Sequence, residues 1–405
     1  MTKIAIKGVT KIFGRNPERA LERLSSGAGR EELLADGNTV ALRDVTLDIA
    51  EGEIFVVMGL SGSGKSTLIR HINRIIDPTS GDVVIDSVDV RKLSIEELIR
   101  FRRDHLAMVF QHFALLPHRT VLENVAYGLE LRNVPRKERE QQAMRWIEAV
   151  GLTGFERQFP SQLSGGMQQR VGLARALCVD TDILLMDEAF SALDPLIRSQ
   201  MQDLLMELQA RLSKTIVFIT HDLDEALRLG DRIAILRDGE VVQMGTPADI
   251  LLRPADDYVR NFVKDVNRSR VLTVETVMQP PPVRLTDETL ERALAEMQRA
   301  GAAYGYVVKG SDYRGVVTEA GLRSLGVGSA HALAEAIEAG PTLSPDATLA
   351  EALPAALSSR YPVPVVDKAG ALQGVLTPSV LSEVFARDAN DGGREHSPAL
   401  GSEDA

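Results

Sequence analysis

Residues 54–66 read Ile54-Phe55-Val56-Val57-Met58-Gly59-Leu60-Ser61-Gly62-Ser63-Gly64-Lys65-Ser66, and the fold class follows from them. The unbroken apolar run at its start has the length and character of a strand buried on both faces. The glycines that follow let successive backbone N–H groups turn toward one point, and the helix opening at Ser66 adds the partial positive charge of its N-terminus. G-x-x-x-x-G-K-S between a strand and a helix is the pattern of a phosphate-binding loop. Lys65 can reach the outer phosphates of a nucleoside triphosphate, and Ser66 can offer its hydroxyl to Mg2+.

Outward from this loop the alternation of strand and helix continues. Residues 83–85 read as a strand, and the apolar runs 183–186 and 216–219, each ending at a charged or polar residue, read as members of a parallel sheet. Ligand chemistry gathers at the ends of such strands. Upstream, residues 1–13 and 40–49 alternate apolar and polar side chains (Ile4, Ile6, Leu42, Val45, Leu47, Ile49), which predicts two half-buried, paired strands. Between them, residues 14–39 place Leu21, Leu24, Leu33 and Leu34 among charges and glycines, the composition of short helices laid over a surface. Residues 94–178 read as a helical subdomain, with Trp146, Ile147 and Val150 along one face, and Asp238-Gly239 predicts a hairpin turn within 232–244.

Past about residue 270 the chain repeats itself at a spacing of roughly sixty residues. Thr289-Leu290 matches Thr348-Leu349, Val307-Val308 matches Val365-Val366, and Gly315-Val316-Val317-Thr318 matches Gly374-Val375-Leu376-Thr377. A duplicated α/β module is the economical explanation. Residues 387–405, polar and without apolar periodicity, predict a disordered tail.

With 405 residues, 44% of them hydrophobic, the chain can bury two or more cores. A net charge of −11 argues against nucleic acid or anionic lipid as a partner held by bulk electrostatics. The single cysteine, Cys178, rules out an intrachain disulfide framework, and MTKIAIKGVT lacks the apolar core of a signal peptide, so a cytoplasmic location is expected. No run of about 18 apolar residues is present, so contact with a membrane is expected to run through a partner protein.

Asp187 and Glu188 end the run 183–186. Asp187 suits a water-mediated Mg2+ ligand and Glu188 the orientation or deprotonation of an attacking water. Such a pair also caps ordinary surface strands; the phosphate loop upstream gives it chemical meaning. Further along the chain stand Leu163-Ser164-Gly165-Gly166-Met167-Gln168-Gln169-Arg170 before a helix, Gln111 after Val109-Phe110, Ser191-Ala192-Leu193-Asp194, and His221 after a strand. Together and in this order the motifs closely resemble those of ABC ATPases.

The resemblance implies, over residues 1–265, a P-loop NTPase domain with an antiparallel β subdomain and a helical subdomain, binding ATP with Mg2+ and working as a head-to-tail homodimer. It implies that Gly59, Leu60, Ser61, Gly62, Ser63, Gly64, Lys65, Ser66 and Thr67 wrap the phosphates. Ser164, Gly165, Gly166 and Gln168 would meet the γ-phosphate held by the other subunit. Gln111 would touch Mg2+ beside Ser66 and Asp187, His221 would contact the γ-phosphate, Asp194 would link the two sites, and Phe13 would stack on adenine. The segment 112–118 would receive a helix of the membrane subunit.

Within that family, Lys11-Ile12-Phe13-Gly14 with its helical insertion, Glu51-Gly52-Glu53-Ile54-Phe55, Met58-Gly59-Leu60-Ser61 and the stretch 184–198, ending in Pro195-Leu196-Ile197-Arg198, resemble the ATPases of quaternary-amine importers. This implies import of glycine betaine or proline betaine, with choline or proline as alternatives, through a transmembrane permease and an extracytoplasmic binding protein, with this chain peripheral at the cytoplasmic face. A soluble ABC ATPase acting on nucleic acid or ribosomes is the alternative class; such proteins usually carry two cassettes or a long coiled coil, neither seen here. Residues 271–386 resemble a tandem CBS pair, about 271–325 and 330–386, implying either a site for a regulatory ligand or a purely structural dimerisation domain. Where nucleotide-binding CBS modules carry Asp three residues after the Ser/Thr, this chain has Gly321 and Val380, which argues against AMP or ATP there and leaves a cyclic dinucleotide or ionic-strength sensing.

Overall fold

The alternating residues at the start form β1 (Thr2–Gly14), and after two short helices, α1 (Pro17–Ser25) and α2 (Arg30–Ala35), the chain returns along it as β2 (Asn38–Ala50). The structure, a computed structural model, describes residues 1–111, 114–286, 289–325 and 333–384. The two strands run antiparallel, with Ile4 opposite Ile49 and Ile12 opposite Val40. Ile12 and Val40 share a face on which Ala20, Leu24 and Leu33 of the insertion are buried. Leu34, one residue on, points outward and is 60% exposed. Pleating sends Phe13 to the other side of the strand pair.

β3 (Ile54–Met58) is buried throughout and feeds α3 (Lys65–Ile72) through the glycine loop. β4 (Ser80–Ile85) pairs with β1 and, with the short β5 (Val88–Asp89), completes a four-stranded antiparallel sheet in the order β2-β1-β4-β5. α4 (Ile95–His105) starts at a reciprocal cap between Ser94 and Glu97. It leads into β6 (Leu106–Val109), a strand inside the stretch read from sequence as helical. The run Leu-Ala-Met-Val is too short to show a period; pairing with a neighbouring strand, a tertiary contact, makes it extended.

The helical subdomain follows as α5 (Val121–Leu131), α6 (Arg136–Ala149) and α7 (Gly165–Cys178). Val125, Ile147, Val150, Val171 and Cys178 fill its core, with Trp146 partly buried at the edge. Burial pushes the Cys178 thiol up to about 12, so it packs as a small apolar residue.

The main sheet is completed by β7 (Ile183–Asp187), α8 (Pro195–Leu212), β8 (Thr215–Thr220), α9 (Leu223–Leu229), β9 (Arg232–Arg237) and β10 (Glu240–Gly245), with α10 (Pro247–Leu252) after it. Its order is β10-β9-β3-β8-β7-β6, with every strand parallel except β10. Asp238 and Gly239 both have positive φ, the conformation that a two-residue hairpin turn demands. β3 therefore sits between β9 and β8, and one core containing Ile4, Leu42, Phe55, Val57, Leu68, Ile69, Leu185 and Val217 joins the two sheets across α3.

The chain divides into two compact units, Met1–Arg260 and Asn261–Ala405. Helix α11 (Asp257–Val263) spans the division, and the second unit opens with the single-turn helices α12 (Arg268–Val271) and α13 (Val274–Val277). Its first half is β11 (Arg284–Leu285), α14 (Leu290–Arg299), β12 (Tyr304–Lys309), β13 (Asp312–Thr318) and α15 (Glu319–Ser324); its second is α16 (Leu349–Ser358), β14 (Val363–Val366) and β15 (Leu372–Leu376). The repeated Thr-Leu pairs prove to be helix starts, Thr289 and Thr348 each capping with its hydroxyl. Leu285 bridges Val307 in parallel just as Leu343 bridges Val365. Tyr306, Val308 and Val316 pack against Tyr361, Leu372 and Val375, and the Tyr306 hydroxyl donates to the Pro362 carbonyl at 2.8 Å. The expected tail 387–405 lies outside the described residues.

Candidate nucleotide-binding and hydrolysis site

The loop 59–66 stands at the C-terminal end of the central strand β3, where the carboxyl ends of parallel strands open onto a crevice. It is held in place from above. Gly239 N donates to the Ser63 carbonyl at 2.9 Å, so the β9–β10 turn grips the loop. Gly64 has φ of 100° and begins α3; a Cβ there would lie 2.6 Å from the Ala41 carbonyl oxygen, so only glycine allows this approach to β2.

Lys65 is 4% exposed, and its ammonium donates to the carbonyls of Gly59 at 2.7 Å and Leu60 at 3.0 Å. Burial lowers its pKa, with Glu188 and Asp187 acting in the opposite sense. The Ser63 hydroxyl is buried and has no hydrogen-bond partner among the described residues. A buried orphan hydroxyl and a caged ammonium beside open loop N–H groups fit a phosphate chain. Leu60 at the loop tip is 58% exposed, and Thr67, half-buried on α3, receives the His71 ring on its carbonyl at 2.6 Å.

Ser66 Oγ donates to Asp187 Oδ1 at 2.9 Å, which brings together two residues distant in sequence. Asp187 is 6% exposed; burial raises its pKa, and the Ser66 hydrogen bond and Arg70, 3.7 Å from Oδ2, oppose that rise. Hydroxyl and carboxylate oxygens at this spacing form a hard donor set that fits Mg2+.

Glu188 has φ of 46°, its backbone N–H bonded to the Ile219 carbonyl at the end of β8. The turn swings its carboxylate toward two partners. Oε2 accepts from Gln111 Nε2 at 3.2 Å and lies 3.4 Å from His221 Nδ1. Gln111 also donates to Ser191 Oγ at 3.3 Å, and Ser191 donates to the Glu188 carbonyl at 2.9 Å. Thus Lys65 and Ser66 of α3, Gln111 after β6, Asp187 and Glu188 at the end of β7 and His221 after β8 meet at the end of one sheet.

Phe13 lies opposite Thr39 on β2, two residues from the Ala41 carbonyl on which the loop rests, and is 41% exposed. Asp194 caps α8 through the Ile197 N–H at 3.1 Å. Ser164 caps α7 through the Met167 N–H at 3.4 Å, leaving Gly165 and Gly166 in its first turn. Gln168 turns back, donating to the Pro160 carbonyl at 3.0 Å. Among the described residues no hydrogen bond joins 164–168 to 59–67. Of the segment 112–118, His112 and Phe113 lie outside the described residues, while Leu115 and Leu116 are half-buried. Sequence reasoning gave no role to Ser191 or Arg70. Ser191 stood inside a recognised motif; nothing distinguishes Arg70 from a surface arginine until the fold sets it beside Asp187.

A parallel sheet with a phosphate loop on its central strand, a carboxylate pair on the strand two places away, and an antiparallel sheet bearing an exposed aromatic define a P-loop nucleotide-binding cassette. The ABC transporter family matches residues 42–191, and the CBS domain family matches 337–386. The glycine betaine/proline betaine transport ATP-binding protein ProV of Salmonella typhimurium is 46% identical over 398 residues, covering 96% of this chain and 99% of the relative. The glycine betaine transport ATP-binding protein OpuAA of Bacillus subtilis is 46% identical over 387 residues, 95% and 92% of the two chains. The trimethylamine N-oxide transport ATP-binding protein TmoW of Ruegeria pomeroyi is 52% identical over 269 residues, 66% of this chain and 79% of the relative. A solved dimeric bacterial ABC transporter cassette, MJ0796, superposes with a TM-score of 0.52 at 37% identity, covering 60% of this chain and 98% of that one. The same cassette is known bound to ADP and Pi. The chain belongs to the family of ABC transporter ATP-binding proteins.

Proposed function

We propose that this chain is the ATP-hydrolysing subunit that powers import of glycine betaine, proline betaine or a related quaternary amine through a separate permease. The observation that carries the reading is the 46% identity to ProV and OpuAA along nearly the whole chain, second unit included. No helix among the described residues is long and apolar enough to cross a membrane. In this reading, carried by the likeness to ProV and OpuAA, the chain docks on permease subunits at the cytoplasmic face and an extracytoplasmic binding protein chooses the solute.

In the proposed cycle Phe13 stacks on adenine while Lys65 exchanges the carbonyls of Gly59 and Leu60 for the outer phosphates. Ser66, Asp187 through water and Gln111 would hold Mg2+, which would supply neutralisation of phosphate charge there. Ser164, Gly165, Gly166 and Gln168 of a second copy close over the γ-phosphate, and Asp194 links the two sites; the lack of any hydrogen bond between 164–168 and 59–67 among the described residues and the dimeric relative support this arrangement. Glu188 takes a proton from water as the water oxygen bonds to the γ-phosphorus and the bond to the bridging oxygen of ADP breaks. His221 holds the γ-phosphate and that water in line. Residues 271–325 and 330–386 form a tandem CBS pair that takes a regulatory ligand; nine basic against fourteen acidic residues over 271–388 leave it at −5, so lipid contact needs a local basic patch.

The test is uptake of labelled glycine betaine by proteoliposomes holding this chain with its native membrane partners and internal ATP, with internal salt varied. ATP-dependent uptake supports the reading, and ATP turnover without betaine uptake discards the solute. Glu188→Gln is expected to retain ATP-dependent dimerisation and lose about 10²- to 10⁴-fold in turnover, the usual contribution of a general base. Undiminished turnover would remove Glu188 from that role.

A further inference from the structure

The loops carrying Asp194 and His221 lead into α8 and α9, and a polar network ties these two helices together. Arg198, one turn into α8, reaches in two directions: Nη1 donates to Asp222 Oδ2 at 2.9 Å and Nη2 to the Leu193 carbonyl at 3.2 Å. Leu193 precedes Asp194, and Asp222 follows His221. Asp222 is itself fixed, its Oδ1 accepting from Glu225 N at 3.2 Å and its N–H donating to Thr220 Oγ1 at 3.0 Å. A turn further along, Gln202 donates to Glu225 Oε1 at 3.1 Å, and Thr220, the residue before His221, donates to Glu225 Oε2. Arg228 of α9 returns to Gln202 Oε1 at 2.9 Å and to Ser199 Oγ at 3.1 Å.

Gln202, Thr220 and Glu225 are each no more than 5% exposed. Apolar side chains would join two helices at lower desolvation cost; a satisfied polar network adds a single rigid geometry. Arg198 even keeps Nε buried without a partner among the described residues.

We propose that Arg198 is a positioning residue for ATP hydrolysis: one guanidinium holds the Leu193-Asp194 loop and the His221-Asp222 loop in register, so that His221 and the partner-facing Asp194 are set together. Only an arginine offers two donors in a rigid fork; a lysine takes one partner at a time. The inference rests on the roles proposed for Asp194 and His221. It adds the residue that couples them.

The test measures steady-state ATP turnover by the full chain carrying Arg198→Met, Arg198→Lys, Asp222→Asn or His221→Ala, with thermal midpoints recorded. Asp222→Asn keeps Oδ1 to cap α9 and replaces the oxygen facing Arg198 by an amide that repels it. Arg198→Met and Asp222→Asn are each expected to lower kcat about tenfold or more, with KM for ATP changed less than about threefold, and Arg198→Lys to fall between Arg198→Met and the parent. A residue that only braces the fold would lower the midpoint and leave kcat in place. Parental kcat in both Arg198→Met and Asp222→Asn, beside a slow His221→Ala, overturns the coupling alone. Parental turnover in His221→Ala overturns the reading of the site, and the coupling with it.

Discussion

Replacing Phe13 by alanine tests whether β1 supplies the surface for the base. A phenylalanine side chain presents roughly 200 Å2. With Phe13 41% exposed, on the order of 80 Å2 of ring remains for adenine to cover. At about 25 cal/mol per Å2 that contact is worth about 2 kcal/mol, or roughly thirtyfold in affinity. The ring is remote from the bond that breaks, so the interaction is the same in ground and transition states and its loss raises KM without lowering kcat. Phe13→Ala is therefore expected to raise KM for ATP about 10- to 50-fold, with kcat within about twofold of the parent and Phe13→Trp close to the parent in both. The burial of Ile12 and Val40 beneath the insertion does not involve the Phe13 ring, so the thermal midpoint should hold. Phosphate release measured against ATP at fixed Mg2+ reads all these quantities. A KM within about twofold of the parent, or a fall in kcat at constant KM, would refute the stacking role.

Gly64→Ala forces an L-residue to φ of 100° and sets its Cβ 2.6 Å from a backbone oxygen, whereas Gly62→Ala at φ of 83° meets no atom within 4 Å. Both pay strain of about 1–3 kcal/mol, but only Gly64→Ala must also displace β2. Calorimetry should show the lower midpoint and nucleotide titration the weaker binding in Gly64→Ala, and equal behaviour of the two would contradict the packing of the loop on β2. Burial holds the Glu225 carboxyl above its usual range, so the folded protein keeps a proton there that the unfolded chain releases. That contribution to stability is complete below the unfolded value of 4.5 and is lost as pH rises through the raised folded value. Glu225→Gln abolishes the loss, so its thermal midpoint relative to the parent should climb as pH is raised from about 5 to about 8; a difference constant with pH would show that Glu225 is already ionised.

How much of this was legible in the sequence depended on whether the signal was local. The loop 59–66 was legible because strand, glycines, lysine and helix start are consecutive and each is required by the chemistry of a bound phosphate. The Asp238-Gly239 turn was equally local, its geometry demanding those residue types at fixed offsets, whereas Thr289 and Thr348 showed in the sequence only as a repeat and became helix starts in the structure. β6 was not, because Leu106–Val109 becomes a strand only by pairing with β7. Ser191 and Arg70 gained meaning only where folding set one against Gln111 and the other against Asp187. Arg198 is the extreme case: visible in the sequence as the end of a motif, it became a link between two loops only when α8 and α9 packed side by side. The class of chemistry was written in local sequence, because phosphate binding is built from adjacent backbone groups. Which side chains stand around that phosphate was decided by tertiary structure, because a parallel sheet gathers at one edge the ends of strands that lie far apart along the chain.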